Sequence, residues 1–235
     1  MKTKLVAFMH CATLNHYQYI VNDTLLKSVN SGLLNDLEFF QINVVGDGDV
    51  DLSIVKDKQL RDKIKITRKG NLEDYDMATI KLVDEFSKKC NDEYYVLFCQ
   101  TLSVSSYNWD IPGYKDRRDL HLYFTIEKYK HCISSLQNYD TCGANWNKEI
   151  PQNQKYPQHY SGNIWWARSS YLKTLPPYEW IVKEENWVLD MRHNAEFWIG
   201  MSESTNHRCF YSWSHNNDRN GGDRLHRTEY EGILK

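Results

Sequence analysis

From Tyr94 to Cys99 the chain reads YYVLFC, an apolar run with no polar alternation. A strand with one wet face would alternate. This one needs cover above and below, so it belongs at the centre of a sheet between two layers. Lys4–Met9 and Leu37–Gly46 are similar compact runs, and Lys63–Thr67 alternates like a short strand. Between the runs the period changes. Val21, Leu25 and Val29 recur at helical spacing within 17–32, as do Ile80, Val83 and Phe86 within 74–89. Leu122, Ile126, Tyr129, Ile133 and Leu136 do the same within 118–136. Strands that alternate with helices predict an α/β fold with a mostly parallel central sheet flanked by helices. Further along, 139–146 reads as a strand. Residues 169–175 read as a short helix capped by Ser169 or Ser170 and stopped at Pro176, and 192–203 as another helix. Residues 101–116 form a polar loop with a Pro-Gly turn, and 212–235 an irregular polar tail. The whole chain, 1–235, is expected to be one domain.

Composition narrows the function classes. The formal net charge is −2, so no basic surface for nucleic acid is indicated. No segment approaches the roughly 20 apolar residues of a membrane span. The N-terminal run LVAFM is too short for a signal peptide, and no small-residue cleavage site follows it. The six cysteines include no CxxC pair, which predicts reduced, buried thiols and a cytoplasmic setting. With 16 Tyr and 8 Trp, the chain is rich in flat rings suited to sugars and nucleobases. It has no Walker loop, no GxGxxG and no GxSxG elbow.

In open α/β sheets, ligands bind beyond the carboxyl ends of the strands. That rule selects residues 10–15, 46–51, 100–109 and 146–163. DGDVD (47–51) has Leu52 and Lys58 where an EF-hand needs Gly and Glu, so it is a solvated turn or a nucleoside contact. EDYD (73–76) contains an Asp-x-Asp that either caps a helix start or holds a cation. HYSGN (159–163) offers backbone N–H groups to an anion or makes a structural turn. RHNAEFW (192–198) spaces Arg192 and Glu196 as a surface ion pair or as a general base beside a cation.

One resemblance joins these pieces. QHYSGNIWWARSSYLKTLP (158–176) resembles the HFSGNFWWA signature of a small glycosyltransferase family found in bacteria and in large DNA viruses, including chlorella viruses. YDMATIKLVDEF (75–86), YYVLFCQTLSVS (94–105), RRDLHLYFTIEKYKHCISSL (117–136), YDTCGANW and NAEFWIG are similar to its other segments, in the same order. The resemblance implies a GT-A fold, that is, a Rossmann-like domain that uses a nucleotide-sugar donor. It also implies transfer of the sugar, with inversion, to a hydroxyl on a glycan or glycoprotein, in the setting of glycan biosynthesis. A UDP- or GDP-sugar is the expected donor. Glu196 is the implied base. His10, Thr13, Asn15, Asp47, Gln100, Thr101, Arg118, His159, Ser161, Gly162 and Asn163 are the implied donor contacts. Trp109, Trp165 and Arg192 are the implied acceptor or sugar contacts. Of Trp165 and Trp166, one is expected to stack on a sugar and the other to pack beneath the turn. The family's His-Thr-Lys-Gly is Gln100-Thr101-Leu102-Ser103 here, and no Asp-x-Asp ends the central strand. A role for Mn²⁺ or Mg²⁺ is therefore left open. A rival reading is an inactive module that binds a nucleotide-sugar or carbohydrate on the same fold.

Overall fold

The computed structural model describes residues 3–105, 112–147, 158–183, 191–202, 204–212 and 224–234, with backbone alone at 181–183 and 191–193. The first half is built of β1 (Lys4–Ala12), α1 (Tyr17–Asn30), the single turn α2 (Leu33–Asp36), β2 (Leu37–Val45), the turn α3 (Lys58–Arg61), β3 (Ile64–Thr67), α4 (Met77–Lys89) and β4 (Tyr94–Gln100). In the second half, α5 (Pro112–Leu122) runs through a π-turn at Tyr123–Glu127 into α6 (Tyr129–Ser135). Then come β5 (Thr141–Gly143), β6 (Trp146–Asn147), β7 (His159–Tyr160), β8 (Trp165–Arg168), α7 (Ser169–Leu172), α8 (Tyr178–Lys183), α9 (Met191–Phe197) and β9 (His207–Cys209).

Seven strands form one sheet in the order β3-β2-β1-β4-β8-β5-β9, with β6 and β7 as a separate pair. β1 runs parallel to β2 and β4, and β2 to β3. β8 is antiparallel to both β4 and β5, and β9 is parallel to β5. This is the expected Rossmann-like α/β sheet, mostly parallel and flanked by helices. The chain steps outward from β1 to β3, then returns past β1 to lay down β4. In open α/β sheets such a reversal marks the place of the ligand crevice, which here falls beyond the carboxyl ends of β1 and β4.

Both faces of the sheet are dry. Leu5, Ala7, Met9 and Cys11 of β1 pack with Val21 and Leu25 of α1 and with Ile126 and Tyr129. Val6 and Phe8 face the other way, onto Ile80 and Val83 of α4. The paired tryptophans follow the same alternation. Trp166 joins the first layer and Trp165 the second. Each indole N–H finds an acceptor on its own side: Trp166 Nε1 donates to the Thr125 carbonyl at 2.7 Å, and Trp165 Nε1 to Asn163 Oδ1 at 2.8 Å. The Thr125 carbonyl lies within the π-turn, where the Lys128 N–H bonds back to the Tyr123 carbonyl at 2.9 Å. A π-turn disturbs the regular i→i+4 ladder locally, and here it coincides with a carbonyl turned to a buried indole.

Three sequence expectations change. The Pro-Gly pair opens α5 instead of making a loop turn, because proline lacks the N–H that a first helical turn leaves unpaired anyway. Ser169 is the first residue of α7 and does not cap it. Its Oγ accepts from the Tyr94 N–H and donates to Glu93 Oε1. Within the tail, Leu225 and Tyr230 are buried with Leu120, Tyr123 and Phe124, and Arg227–Glu229 forms a 3-10 turn.

Gly200 ends the 3-10 turn Trp198–Gly200 that follows α9. A Cβ there would lie 1.6 Å from the Gln158 carbonyl oxygen, which is backbone and cannot swing aside. This contact presses α9, with Glu196, against the strand that begins at His159. Gly200→Ala is expected to cost at least about 2 kcal/mol in urea denaturation, in the upper part of the usual overpacking range. An unchanged midpoint would show that the approach is not needed.

Candidate functional site

The floor of the crevice is a buried chain of polar groups. His10, near the end of β1, is 2% exposed. Its Nδ1 lies 3.0 Å from Thr79 Oγ1 of α4, and its Nε2 lies 3.6 Å from Asp76 Oδ1. Asn43 of β2 donates to the same Thr79 oxygen at 3.0 Å. On the other side, Asn163 Nδ2 donates to Asp76 Oδ2 at 3.0 Å and Asn163 Oδ1 receives the Trp165 indole. One connected set thus spans β1, β2, α4 and the turn before β8. Asp76 does not cap α4 with its side chain, so the helix-capping reading of EDYD fails at this residue. Asp74 accepts from the Asn71 N–H at 2.7 Å and so closes the 3-10 turn Leu72–Asp74, ahead of α4.

Above this floor stands the turn 160–163. Gly162 has φ 101°, and a Cβ there would come within 2.7 Å of His121 Nε2, so glycine is required. Each side of the turn is held. Gln100 Nε2 donates to the Gly162 carbonyl at 3.0 Å, and Arg117 Nη2 donates to Ser161 Oγ at 3.1 Å. The Gly162 N–H donates to Glu196 Oε2 at 3.1 Å. His159 Nε2 is 3.8 Å from that same oxygen, and its ring packs edge-on against Phe197. Burial, then the nearby Arg117 charge, hold the His121 imidazole neutral, with its pKa pushed down to about 3. A backbone turn, a guanidinium and a carboxylate therefore meet at one point of the carboxyl edge.

Other expected donor contacts are occupied in joining loops. Thr13 Oγ1 donates to the Val45 carbonyl and accepts from the Gly48 N–H. Asn15 Nδ2 donates to the Val104 carbonyl, and Thr101 Oγ1 accepts from the Ala12 N–H. Asp47 is exposed, in a loop fastened by Arg68, whose guanidinium donates to the Gly46 and Gly48 carbonyls.

Burial corrects three more assignments, and it closes His10, 2% exposed, and Thr101, 1% exposed, to a ligand in the same way. Arg118 is 1% exposed and its Nη1 donates to the Leu102 carbonyl, so its charge is sealed beneath the loop. Its neighbour Arg117, a helical residue pointing elsewhere, is the one on the turn. Asn163 is 0% exposed with both ends of its amide engaged, so it is a pivot of the scaffold and has no surface for a ligand. Trp165 is also 0% exposed, stacked on Phe98 at 5.2 Å, which leaves no ring face for a sugar. Trp166 is equally buried, so neither tryptophan is a sugar platform. Trp109 and the side chain of Arg192 lie outside the described residues.

Sequence reasoning missed Asp76 as the centre of the floor, and it missed Tyr75. Tyr75 has φ 47° and ψ −143°, a backbone region suited to glycine. Holding a bulky residue there costs about 1–3 kcal/mol. Asn15, Ser103 and Asn163 also have positive φ, so unusual backbone gathers at this edge. Ser103 stands where the resembled signature has glycine.

Among the described residues, no three His, Cys, Asp or Glu side chains converge as a metal-binding group. No described helix is long and apolar enough to cross a membrane. A depression of about 450 Å³ lies elsewhere, among Lys27, Asn30, Tyr123, Lys128 and Arg227. Lys27 there is paired with Asp23 and Asp119, and Arg227 with Glu127 and Glu231.

No family model matches the chain, and no curated protein matches it. Among solved structures, it is similar to 4-diphosphocytidyl-2C-methyl-D-erythritol synthase from Anaerococcus prevotii, at 10% identity over 99% of this chain and 96% of that one, with a TM-score of 0.44. It is similar to the galactosyltransferase LgtC in complex with donor and acceptor sugar analogs, at 10% identity over 88% of this chain and 72% of that one, with a TM-score of 0.45. HddC from Yersinia pseudotuberculosis is 8% identical over 88% of this chain and 90% of that one, with a TM-score of 0.46. Likeness at this level assigns no activity.

The buried floor predicts a signature in stability. Burial raises the Asp76 pKa from 3.8 to about 6 and lowers that of His10 from 6.5 to about 4. Between pH 4 and 6 the unfolded chain carries the proton on His10, while the native state carries it on Asp76. The number of bound protons is equal, so the pair contributes almost no pH dependence there. Asp76→Asn leaves His10 alone. The unfolded state then binds the extra proton, and stability rises with pH across this window. His10→Gln leaves Asp76 alone, and stability falls across the same window. Each slope is at most about 1.4 kcal/mol per pH unit. Urea titrations at several pH values would show opposite slopes for the two variants, and parallel slopes would refute the two opposed burial shifts.

Proposed function

We propose that the chain is a glycosyltransferase of GT-A fold, moving a sugar from a UDP- or GDP-sugar to a hydroxyl of a glycan or glycoconjugate in the cytoplasm. The observation that carries this reading is the Glu196 carboxylate held on the Gly162 N–H at 3.1 Å, beside His159, at the mouth of the crevice. Both contacts fall on Oε2, so Oε1 is the oxygen offered to an acceptor hydroxyl. In the proposed displacement, Glu196 takes the hydroxyl proton as the acceptor oxygen bonds to the anomeric carbon. The bond from that carbon to the diphosphate breaks, and the configuration inverts. Negative charge grows on the departing diphosphate. Arg117, on the Ser161 side of the turn, is the group assigned to meet it. Arg117 is assigned the part that a divalent cation would otherwise take on the diphosphate.

Glu196→Gln preserves an acceptor for the Gly162 N–H but cannot take a proton. Transfer is expected to fall by roughly 10²-fold or more, with donor affinity changed less than about threefold. Unaltered turnover would remove Glu196 from the reaction. Turnover is also expected to persist in EDTA. Loss on chelation, restored by Mn²⁺, would assign the diphosphate charge to a metal instead of Arg117.

A second reading is favoured by one observation. Thr13, Asn15 and Thr101 are already engaged in loop-to-loop hydrogen bonds, as a rigid binding module would have them. That reading expects donor binding in a thermal-shift screen with neither transfer nor donor hydrolysis.

A further inference from the structure

Tyr75 combines a backbone conformation suited to glycine with a large aromatic side chain that is 38% exposed. Its path is forced from both sides. Before it, the 3-10 turn Leu72–Asp74 is closed by Asp74 on the Asn71 N–H, and the Tyr75 N–H donates to the Leu72 carbonyl at 3.2 Å. After it, Asp76 is held by the Asn163 amide and lies 3.6 Å from the His10 ring. A residue with only a structural duty here would be glycine, which adopts this backbone without strain. Keeping a bulky ring at such a position points to the ring itself.

Location narrows what the ring serves. Leu72, itself 36% exposed, lies against Gly46 at the end of β2, where a Cβ would sit 3.4 Å from its methyl groups. The 3-10 turn Leu72–Asp74 therefore stands on the β1–β2 half of the carboxyl edge, next to the loop that carries exposed Asp47 and Asp49, and Tyr75 closes that turn with its N–H on the Leu72 carbonyl. The turn 160–163 and Glu196 stand beyond it, on the β8 side. A nucleotide-sugar laid across the edge with its reacting carbon at Glu196 puts its base at the β1–β2 end. We propose that Tyr75 is the stacking platform for the nucleobase of the donor. This rests on the transferase reading above and names the part of the donor that the β1–β2 half recognises. An aromatic face suits any base, so the contact supplies affinity while leaving the choice among bases to other groups.

The test compares UDP, GDP and inorganic pyrophosphate by isothermal titration, with the full chain and its Tyr75→Phe, Tyr75→Leu and Tyr75→Gly variants. Tyr75→Leu keeps apolar bulk without a flat ring, so it remains informative should Tyr75→Gly fold poorly. Tyr75→Phe is expected to bind the nucleotides like the parent chain. Tyr75→Leu and Tyr75→Gly are expected to lose roughly tenfold or more in nucleotide affinity, with pyrophosphate affinity unchanged. Equal losses for pyrophosphate and nucleotides would make Tyr75 structural and overturn the assignment, as would unchanged nucleotide affinity in Tyr75→Leu. If the parent chain binds neither UDP nor GDP, the donor reading itself fails and this assignment falls with it.

Discussion

The hydrogen bond from Asn163 to Asp76 holds the two halves of this molecule in one geometry. Asp76 belongs to the Rossmann-like half and Asn163 to the turn of the second half. Neither side chain is left in water, so each needs the other: an unpaired amide or carboxyl at that depth costs far more than the bond returns. His10 and Thr79 extend the set toward β1 and β2, and Trp165 extends it into the core. The position of the turn, and with it of Gly162, Arg117 and Glu196, follows from this buried polar set as much as from the sheet.

Much of the fold was legible because burial on both faces leaves a mark in sequence. YYVLFC had to be central, and β4 lies between β1 and β8. The helical steps at Val21 and Leu25, and at Ile80 and Val83, mark residues that are fully buried. The π-turn was hidden, because spacings of four and three residues absorb one extra residue without breaking the apolar stripe. The start of α5 was misjudged for a related reason: proline and glycine together suggest a turn, yet proline is also at home in the first turn of a helix.

The site was less legible, because a polar residue type does not declare its partner. Asn163 and Asp76 are separated by 87 residues in sequence, and Asn15 bonds a carbonyl 89 residues away. Thr13, Asn15, Thr101 and Asn163 looked like ligand contacts, and in the structure all are engaged in long-range hydrogen bonds of the scaffold. Arg117 and Arg118 are neighbours in sequence with opposite fates, since successive helical residues point about 100° apart. Glu196 beside the Gly162 turn is the element that sequence order and structure bring together. Tyr75 could not have been found without backbone angles.

The two tryptophans of β8 have a consequence for how this strand finds its place. Each has a private acceptor on its own face of the sheet, a side-chain amide for Trp165 and a π-turn carbonyl for Trp166. A slip of one residue against β4 would exchange the faces and leave both indole N–H groups buried without acceptors. The doublet thus works as a two-sided key. It admits one alignment of the antiparallel strand, and that alignment fixes the height at which the turn meets Glu196.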